Sequence, residues 1–433
     1  MADDGEAQES VRPATGHWVI VVPVALAAAV RGLYWRFVTP DWTPVADADQ
    51  YLRIARYLAD GDGYSLVFPG LEVHATAFRP PLYPALLAVV TAIFGSGSLW
   101  PARLLSLAIG LLVVALTVVY ARRIAGPVAG LVAGISAALF PPLIANDTVT
   151  LTEPLALALI LGILILILDE RWAWVGVLCG ALMLTRPNAY LVPVIAAVAL
   201  WRGLGWRRAV GCLAIAVLCV VPWTVRNKVQ VGTFSLTTSE GFNLAAIYAP
   251  PAQARGGFAD PVYDPWYDYT DYQLWQFEEA RWNTELRALG LRSLRDNPSY
   301  LLTVMRRNIS SIMEFGGLDV NEAEELDGRN LDFRKATLPL FWVVLVVGGA
   351  GLVVRAGDRR VWPAYAIVGQ FVVLSLVLIA VPRHRGSLDL LLCIGVGFVA
   401  VWWADRRSRR FDVHVAEMGS GDVVVSPDGA AVS

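Results

Sequence analysis

Apolar residues gather in long unbroken runs, the pattern of helices surrounded by lipid rather than of a half-exposed soluble core. The runs read as membrane spans are 17–38, 99–121, 127–144, 154–169, 172–185, 188–200, 209–223, 336–354, 361–380 and 387–403. Several approach the roughly 20 residues that cross a bilayer. The pair meeting around Thr185–Asn188 also reads as one broken element. The run at 81–95, "PLYPALLAVVTAIFG", is short and opens on two prolines, so it is expected to lie at the interface or to insert halfway. The pattern predicts an all-α polytopic membrane protein of about ten spans.

Between the first spans the pattern changes. In "DADQYLRIARYLADGDGYS", Tyr51, Ile54, Ala55 and Leu58 share one helical face, predicting an amphipathic helix over 48–60. Asp47 stands where an N-cap is expected, with Gln50 three residues on as in a capping box, and Gly61 and Gly63 end the helix. A second polar stretch, 226–335, is rich in Tyr and Trp and predicts helices near 269–290 and 298–315, broken at Asn297-Pro298. Aromatics at this density suit a membrane interface, and would also suit stacking on sugars.

Lys and Arg in short loops fix the expected orientation. With a cytoplasmic N-terminus, and 81–95 not counted as a span, Arg122, Arg123, Arg171, "WRGLGWRR", "RAGDRR" and "RRSRR" all fall on the cytoplasmic side. Both termini are then cytoplasmic. The expected organisation is a disordered N-terminus (1–16), a transmembrane core (17–225) carrying a first outer loop (39–98), an extracytoplasmic helical loop (226–335), C-terminal spans (336–404) and a disordered cytoplasmic tail (405–433). The first residues lack the charged region and cleavage site of a signal peptide, so the first run is expected to remain as an anchor.

Composition agrees. The chain is 56% hydrophobic and 17% charged, against about 25% charged in soluble domains. Its net charge of −2 says little. Basic residues are nearly all arginine, with lysine only at Lys228 and Lys335, a bias of GC-rich bacterial genomes. Cys179, Cys212, Cys219 and Cys393 lie in apolar runs and read as packing residues rather than a disulfide framework.

The candidate chemistry lies on the opposite side from the basic loops. "TAFRPPLYPALLA" places Arg79 at the end of the loop that Asp47 opens. "NDTVTLTEPLALAL" puts Asp147 and Glu153 at outer ends of spans; "LTRPNA", "PWTVRN" and "VPRHRGSLDL" put Arg186, Arg226, Arg383, His384 and Arg385 there too. Any one of these arginines could be snorkelling to headgroups. As a set beside carboxylates they read as an anion site, since the planar fork of arginine matches phosphate. Glu153 alone would suit a helix N-terminus.

The order Asp47, Tyr51, Ala55, Leu58, then "FRPPLYPALLA", "LTEPLA", "LTRPNA", "PWTVRN" and a late Arg-x-Arg resembles the bacterial GT-C glycosyltransferases, the protein-mannosyltransferase-like and aminoarabinose-transferase-like enzymes, over residues 17–400. The late segment departs from the usual Arg-Tyr-Arg-x-Pro, with His384 in the middle and no proline after it. The resemblance implies an inverting glycosyltransferase. It would move a sugar from a polyprenyl-phosphate donor to a hydroxyl of a lipid, glycan or protein acceptor on the outer face. It implies Asp47 as general base, Glu153 as a second acidic site residue, and Arg79, Arg186, Arg226, Arg383 and Arg385 as donor-phosphate contacts. Asp49, Tyr51, Tyr83 and His384 would support them.

No obligatory cofactor is expected. His74 and His384 lack ligand spacing, so no tight metal site is expected, and a weakly held divalent cation through Asp47 and Asp49 is left open. No Gly-rich phosphate loop is seen, which fits a lipid-linked donor, and nucleic acid is not an expected partner. The competing readings are a flippase or transporter for a lipid-linked glycan, which should show midplane charges and repeats, and an O-antigen-type polymerase or ligase.

Overall fold

The computed structural model describes residues 16–68, 71–268, 270–272, 277–315 and 318–419. It is an all-α membrane architecture. In chain order the helices are α1 (Trp18–Phe37), α2 (Ala46–Asp60), α3 (Leu82–Phe94), α4 (Trp100–Leu139), α5 (Pro141–Asp147), α6 (Glu153–Leu168), α7 (Trp172–Met183), α8 (Val192–Leu204) and α9 (Trp206–Gln230). Then come α10 (Ser239–Tyr248), α11 (Pro250–Arg255), α12 (Pro265–Asp268), α13 (Glu279–Asp296), α14 (Tyr300–Ile312), α15 (Leu318–Leu326), α16 (Leu331–Val354), α17 (Trp362–Val377) and α18 (Gly386–Gly419). A two-residue antiparallel ladder, β1 (Ser65–Leu66) with β2 (His74–Ala75), closes the first polar loop.

Among the described residues, six helices are long and apolar enough to cross a membrane. The helices α3, α6, α7 and α17 are apolar but shorter. The 40-residue α4 is two limbs: Ala125 and Gly126 leave helical geometry, Gly126 takes φ 88°, and Pro127 restarts the helix. The limbs fold back on each other, since a Cβ at Gly134 would sit 2.3 Å from Val118 Cγ2. The two runs expected at 99–121 and 127–144 are therefore the limbs of one hairpin. At 13 residues, α3 is about 20 Å long, short of a bilayer core. It packs on α2.

Four helices hold the interior together: α1 and α18 both pack on α4, and α16 packs on α18. The last contact is backbone to backbone. A Cβ on Gly351 would lie 1.9 Å from the Gly395 carbonyl oxygen, so only glycine permits the approach. The α18 helix continues to Gly419, so the boundary expected at 405 falls inside a helix. Residues 1–15 and 420–433, where disorder was expected, lie outside the described residues.

The segments 39–98 and 226–335 form one polar-side layer rather than separate loops. Ile54, Tyr64, Phe68 and Phe78 of the first meet Ala245, Tyr267, Trp282, Leu286 and Leu289 of the second in a shared core. Trp282 and Tyr267 are fully buried there, so these aromatics are not the interfacial anchors that their density suggested; Tyr263 and Phe277 do stay exposed. The break between α13 and α14 falls at Asn297, as expected.

One buried carboxylate ties the layer together. Glu279 accepts hydrogen bonds from Ala77 N (2.8 Å), Thr76 Oγ1 (2.7 Å) and Thr238 Oγ1 (2.5 Å), and His74 Nε2 lies 3.4 Å away. Glu279→Ala strands these donors and should cost about 2–4 kcal/mol, read as a lower unfolding temperature. The Glu279 carboxylate also holds the His74 pKa above its ordinary 6.5. A raised folded-state pKa adds stability that is present below 6.5 and lost as pH rises through the folded value. Thermal unfolding across that window should show this loss in the wild type and not in Glu279→Ala.

Candidate active site

Asp47 enters α2 at its second residue, not at its cap. The N-cap is Val45, with no side-chain capping bond, and Ala46 is held at φ 43°. A non-glycine residue in the left-handed region is strained, and such strain collects at functional sites. The expected capping box is not formed because both partners are committed elsewhere. Asp47 Oδ1 pairs with Arg79 Nη2, Asp47 Oδ2 accepts from Arg383 Nη2 at 2.6 Å, and Gln50 Oε1 accepts from Arg79 Nε at 2.7 Å. At the other end, Gly61 closes the helix in the left-handed conformation, as predicted.

Arg79 is aimed by its neighbours. Its guanidinium lies 5.5 Å from the Tyr51 ring centroid and 5.0 Å from that of Phe78. Arg383 sits on a 3-10 turn, Pro382–Arg385, at the entry to α18. Its three nitrogens face three carboxylates: Nη2 meets Asp47, Nη1 lies 3.8 Å from Glu153 Oε1, and Nε lies 3.1 Å from Asp327 Oδ1. Arg186 closes the set, pairing with Glu153 Oε1 at 2.8 Å. Six charged groups from six separate segments thus form one cluster, three acids against three guanidinium groups.

Burial alone would raise the Asp47 carboxyl. Arg79 and Arg383 outweigh it and hold the group well below the ordinary carboxylate range. Asp327 goes the other way. Burial and the nearby charges of Asp47 and Glu153 outweigh Arg383 and Arg329, and its carboxyl is pushed up to about 7.

The cluster lies beside a cavity of about 990 Å³. Asp47, Arg79, Asp327, Arg383 and His384 line one side. Phe68, Phe78, Phe242, Phe258, Val262 and Tyr263 give it an apolar, aromatic wall, and Arg53, Arg255 and Arg307 add cations. The 226–335 segment therefore builds the cavity as well as covering the first loop. Asp49 also lines it, paired with Arg53 at 2.8 Å. Among the described residues no cluster of three His, Cys, Asp or Glu is placed to hold a metal ion.

Not every expected residue joins. Tyr51 and Tyr83 are buried behind the cavity, edge to face at 5.6 Å, with Tyr83 Oη bonded to Ser106 Oγ at 2.8 Å; they support α2 from below. His384 Nδ1 contacts the Ile379 carbonyl at 3.1 Å. Arg226, expected on phosphate, donates instead to the carbonyls of Thr76 (2.5 Å) and Tyr64 (2.7 Å), stacked near Trp223 at 5.0 Å. Its charge serves the backbone of the first loop. Arg385, also expected on phosphate, is fully buried away from the cavity, bonded to Glu314 (2.6 Å) and Asp389 (3.0 Å) and lying 3.9 Å from the Phe341 ring centroid. Asp147 likewise pairs with buried Arg31 at 2.6 Å, tying α5 to α1. Asp327 had no signal in sequence: "EAEELDGRN" reads as a solvated acidic helix end.

Residues 78–225 match the dolichyl-phosphate-mannose-protein mannosyltransferase family. The fold is similar to that of the oligosaccharyltransferase AglB of Archaeoglobus fulgidus, solved in complex with an inhibitory peptide and a dolichol-phosphate (TM-score 0.51, 14% identity, 95% of this chain and 52% of that one). The same Archaeoglobus enzyme in complex with Zn and sulfate aligns with this chain at TM-score 0.51 and 15% identity, over 94% of this chain and 51% of that one. ArnT of Cupriavidus metallidurans, bound to undecaprenyl phosphate, aligns at TM-score 0.41 and 18% identity, over 87% of this chain and 77% of that one. The chain spans about half the length of AglB. No curated protein sequence matches it.

The role of Arg226 is separable from that of Arg79. Arg226→Lys loses the two-pronged grip on the loop carbonyls and should lower the unfolding temperature by about 1–2 °C, for a loss of about 1–2 kcal/mol. An unchanged unfolding temperature would contradict this structural role.

Proposed function

We propose that this chain is an inverting GT-C glycosyltransferase that moves a sugar from a polyprenyl-phosphate donor to a hydroxyl of a lipid, glycan or protein acceptor on the outer face of the membrane. The observation that carries the reading is the Asp47 carboxylate held between Arg79 and Arg383 at the wall of a cavity that is aromatic on its other side. The family matched by residues 78–225 and the similar fold of AglB, solved with a dolichol-phosphate, support the donor class.

Transfer needs two things at once. As the bond between the anomeric carbon and the phosphate oxygen breaks, the leaving phosphate gains a negative charge that fixed cations stabilise. As the new bond forms, the acceptor hydroxyl loses a proton to a base. Arg79 and Arg383 are placed for the first task and Asp47 for the second. In this structure they neutralise one another. A donor phosphate competes with Asp47 for both guanidinium groups. Once it takes them, Asp47 remains buried without its cations, its proton affinity rises, and it becomes a competent base. Glu153 keeps Arg186 and the far side of Arg383 in place, so the cations do not follow the leaving group. The aromatic wall suits a sugar ring or the first isoprene units.

Asp47→Asn separates the roles. It should lower kcat by about 10²–10⁴-fold, while the affinity for undecaprenyl phosphate stays the same or tightens, because Arg79 and Arg383 lose their competitor. Near wild-type turnover would remove Asp47 as the base. Arg79→Ala should weaken binding of the same lipid about tenfold or more, and unchanged affinity would count against its phosphate role.

A further inference from the structure

The edge of Arg383 that faces the cavity is shared by two acids. In a guanidinium group, Nε–H and one Nη–H lie side by side, and a phosphate takes such an edge with two parallel bonds. Here Nη2 is bonded to Asp47 and Nε lies 3.1 Å from Asp327 Oδ1. The second contact is poorly made. Arg383 Nε and Asp327 Oδ2 are both buried without a hydrogen-bond partner. Buried donors and acceptors are normally satisfied, so this pair marks a place where something else binds.

The charges around Asp327 are Arg383 on the 3-10 turn, Arg329 in its own loop, Asp47 on α2 and Glu153 on α6, with His384 lining the same cavity. With Asp327 ionised, the three acids balance Arg79, Arg186 and Arg383, and an incoming phosphodiester would leave one uncompensated negative charge. With Asp327 neutral, the six groups carry one net positive charge, which a phosphodiester cancels. The neutral form is within easy reach, because burial already pushes this carboxyl up to about 7.

We propose that the donor's phosphodiester displaces Asp327 from Arg383, and that Asp327 takes up one proton from solution as the donor binds. The proposal rests on the polyprenyl-phosphate reading above. Asp327 is a positioning residue: ionised, it competes for the phosphate-binding edge of Arg383, and protonated, it releases that edge.

The test uses undecaprenyl methyl phosphate, a diester whose own charge is constant between pH 6 and 8 and which carries no sugar to transfer. Proton linkage through a group of pKa about 7 predicts that its Kd for the full-length protein in detergent weakens about tenfold from pH 6 to pH 8. Asp327→Asn, permanently neutral, should bind at the wild type's pH 6 affinity across the range. Calorimetry on the wild type alone, in buffers of differing ionisation enthalpy, should show close to one proton taken up per diester at pH 8 and about one-tenth at pH 6. An equal pH dependence in Asp327→Asn, or no proton uptake at pH 8, overturns the role of Asp327 while leaving the donor class standing. No binding of the diester at either pH overturns the donor class, and this inference with it.

Discussion

The polar side of this molecule is organised by one ion pair, Asp47 with Arg383. The two residues are 336 positions apart in the chain. Their contact joins α2 to the entry of α18. Taking charged groups out of water costs several kcal/mol each, and a single pair here would not repay it. The cluster does so by distribution. Each carboxylate of the three touches at least one guanidinium group, and Arg383 touches all three carboxylates. Removing any one member leaves its partners buried and uncompensated, so the arrangement holds only while every segment is in place.

Three further buried carboxylates make that placement possible. Glu279 fixes the backbone at Thr76 and Ala77, immediately before Arg79. Arg226 grips the carbonyl of Thr76 from the other side, and that of Tyr64 across the small ladder. Arg79 therefore projects from a loop held by bonds on both sides, ahead of two prolines. On the opposite flank, Glu314 and Asp389 hold Arg385, two residues from Arg383. The turn that carries Arg383 is thus anchored through its neighbour. The charges at the cavity are positioned by charges that never reach it.

Much of the fold was legible in the order of apolar runs, because each span must satisfy its backbone internally and so writes its own length into the sequence. The break at Asn297, the glycine stop at Gly61 and the hairpin inside α4 follow from local chemistry alone. Asp47, Arg79, Arg186, Glu153 and Arg383 were identified by type and position at span edges, and they do converge. The errors share one cause. Arg226 and Arg385 look the same in sequence as Arg79 and Arg383, each an arginine at the outer end of a span. Which arginine faces a cavity depends on whether a carbonyl or carboxylate from a distant segment arrives first, and spacing carries no record of that. Asp47 looked like a cap for the same reason: the competing partner was 336 residues away. Asp327 was hidden in an acidic run that reads as solvated, although Glu324 of that run is buried as well.

On the proposed function, the site neutralises itself: Asp47, proposed to act on the acceptor, occupies Arg79 and Arg383, proposed to hold the donor phosphate. The central claim is that a polyprenyl-phosphate sugar is what separates them. The most direct measurement is sugar transfer by the purified protein in proteoliposomes, from a panel of radiolabelled polyprenyl-phosphate sugars and from the matching nucleotide sugars, to acceptors extracted from membranes. The account predicts transfer from at least one lipid-linked donor and none from nucleotide sugars. Transfer from a nucleotide sugar alone, or from no lipid-linked donor in the panel, would contradict it.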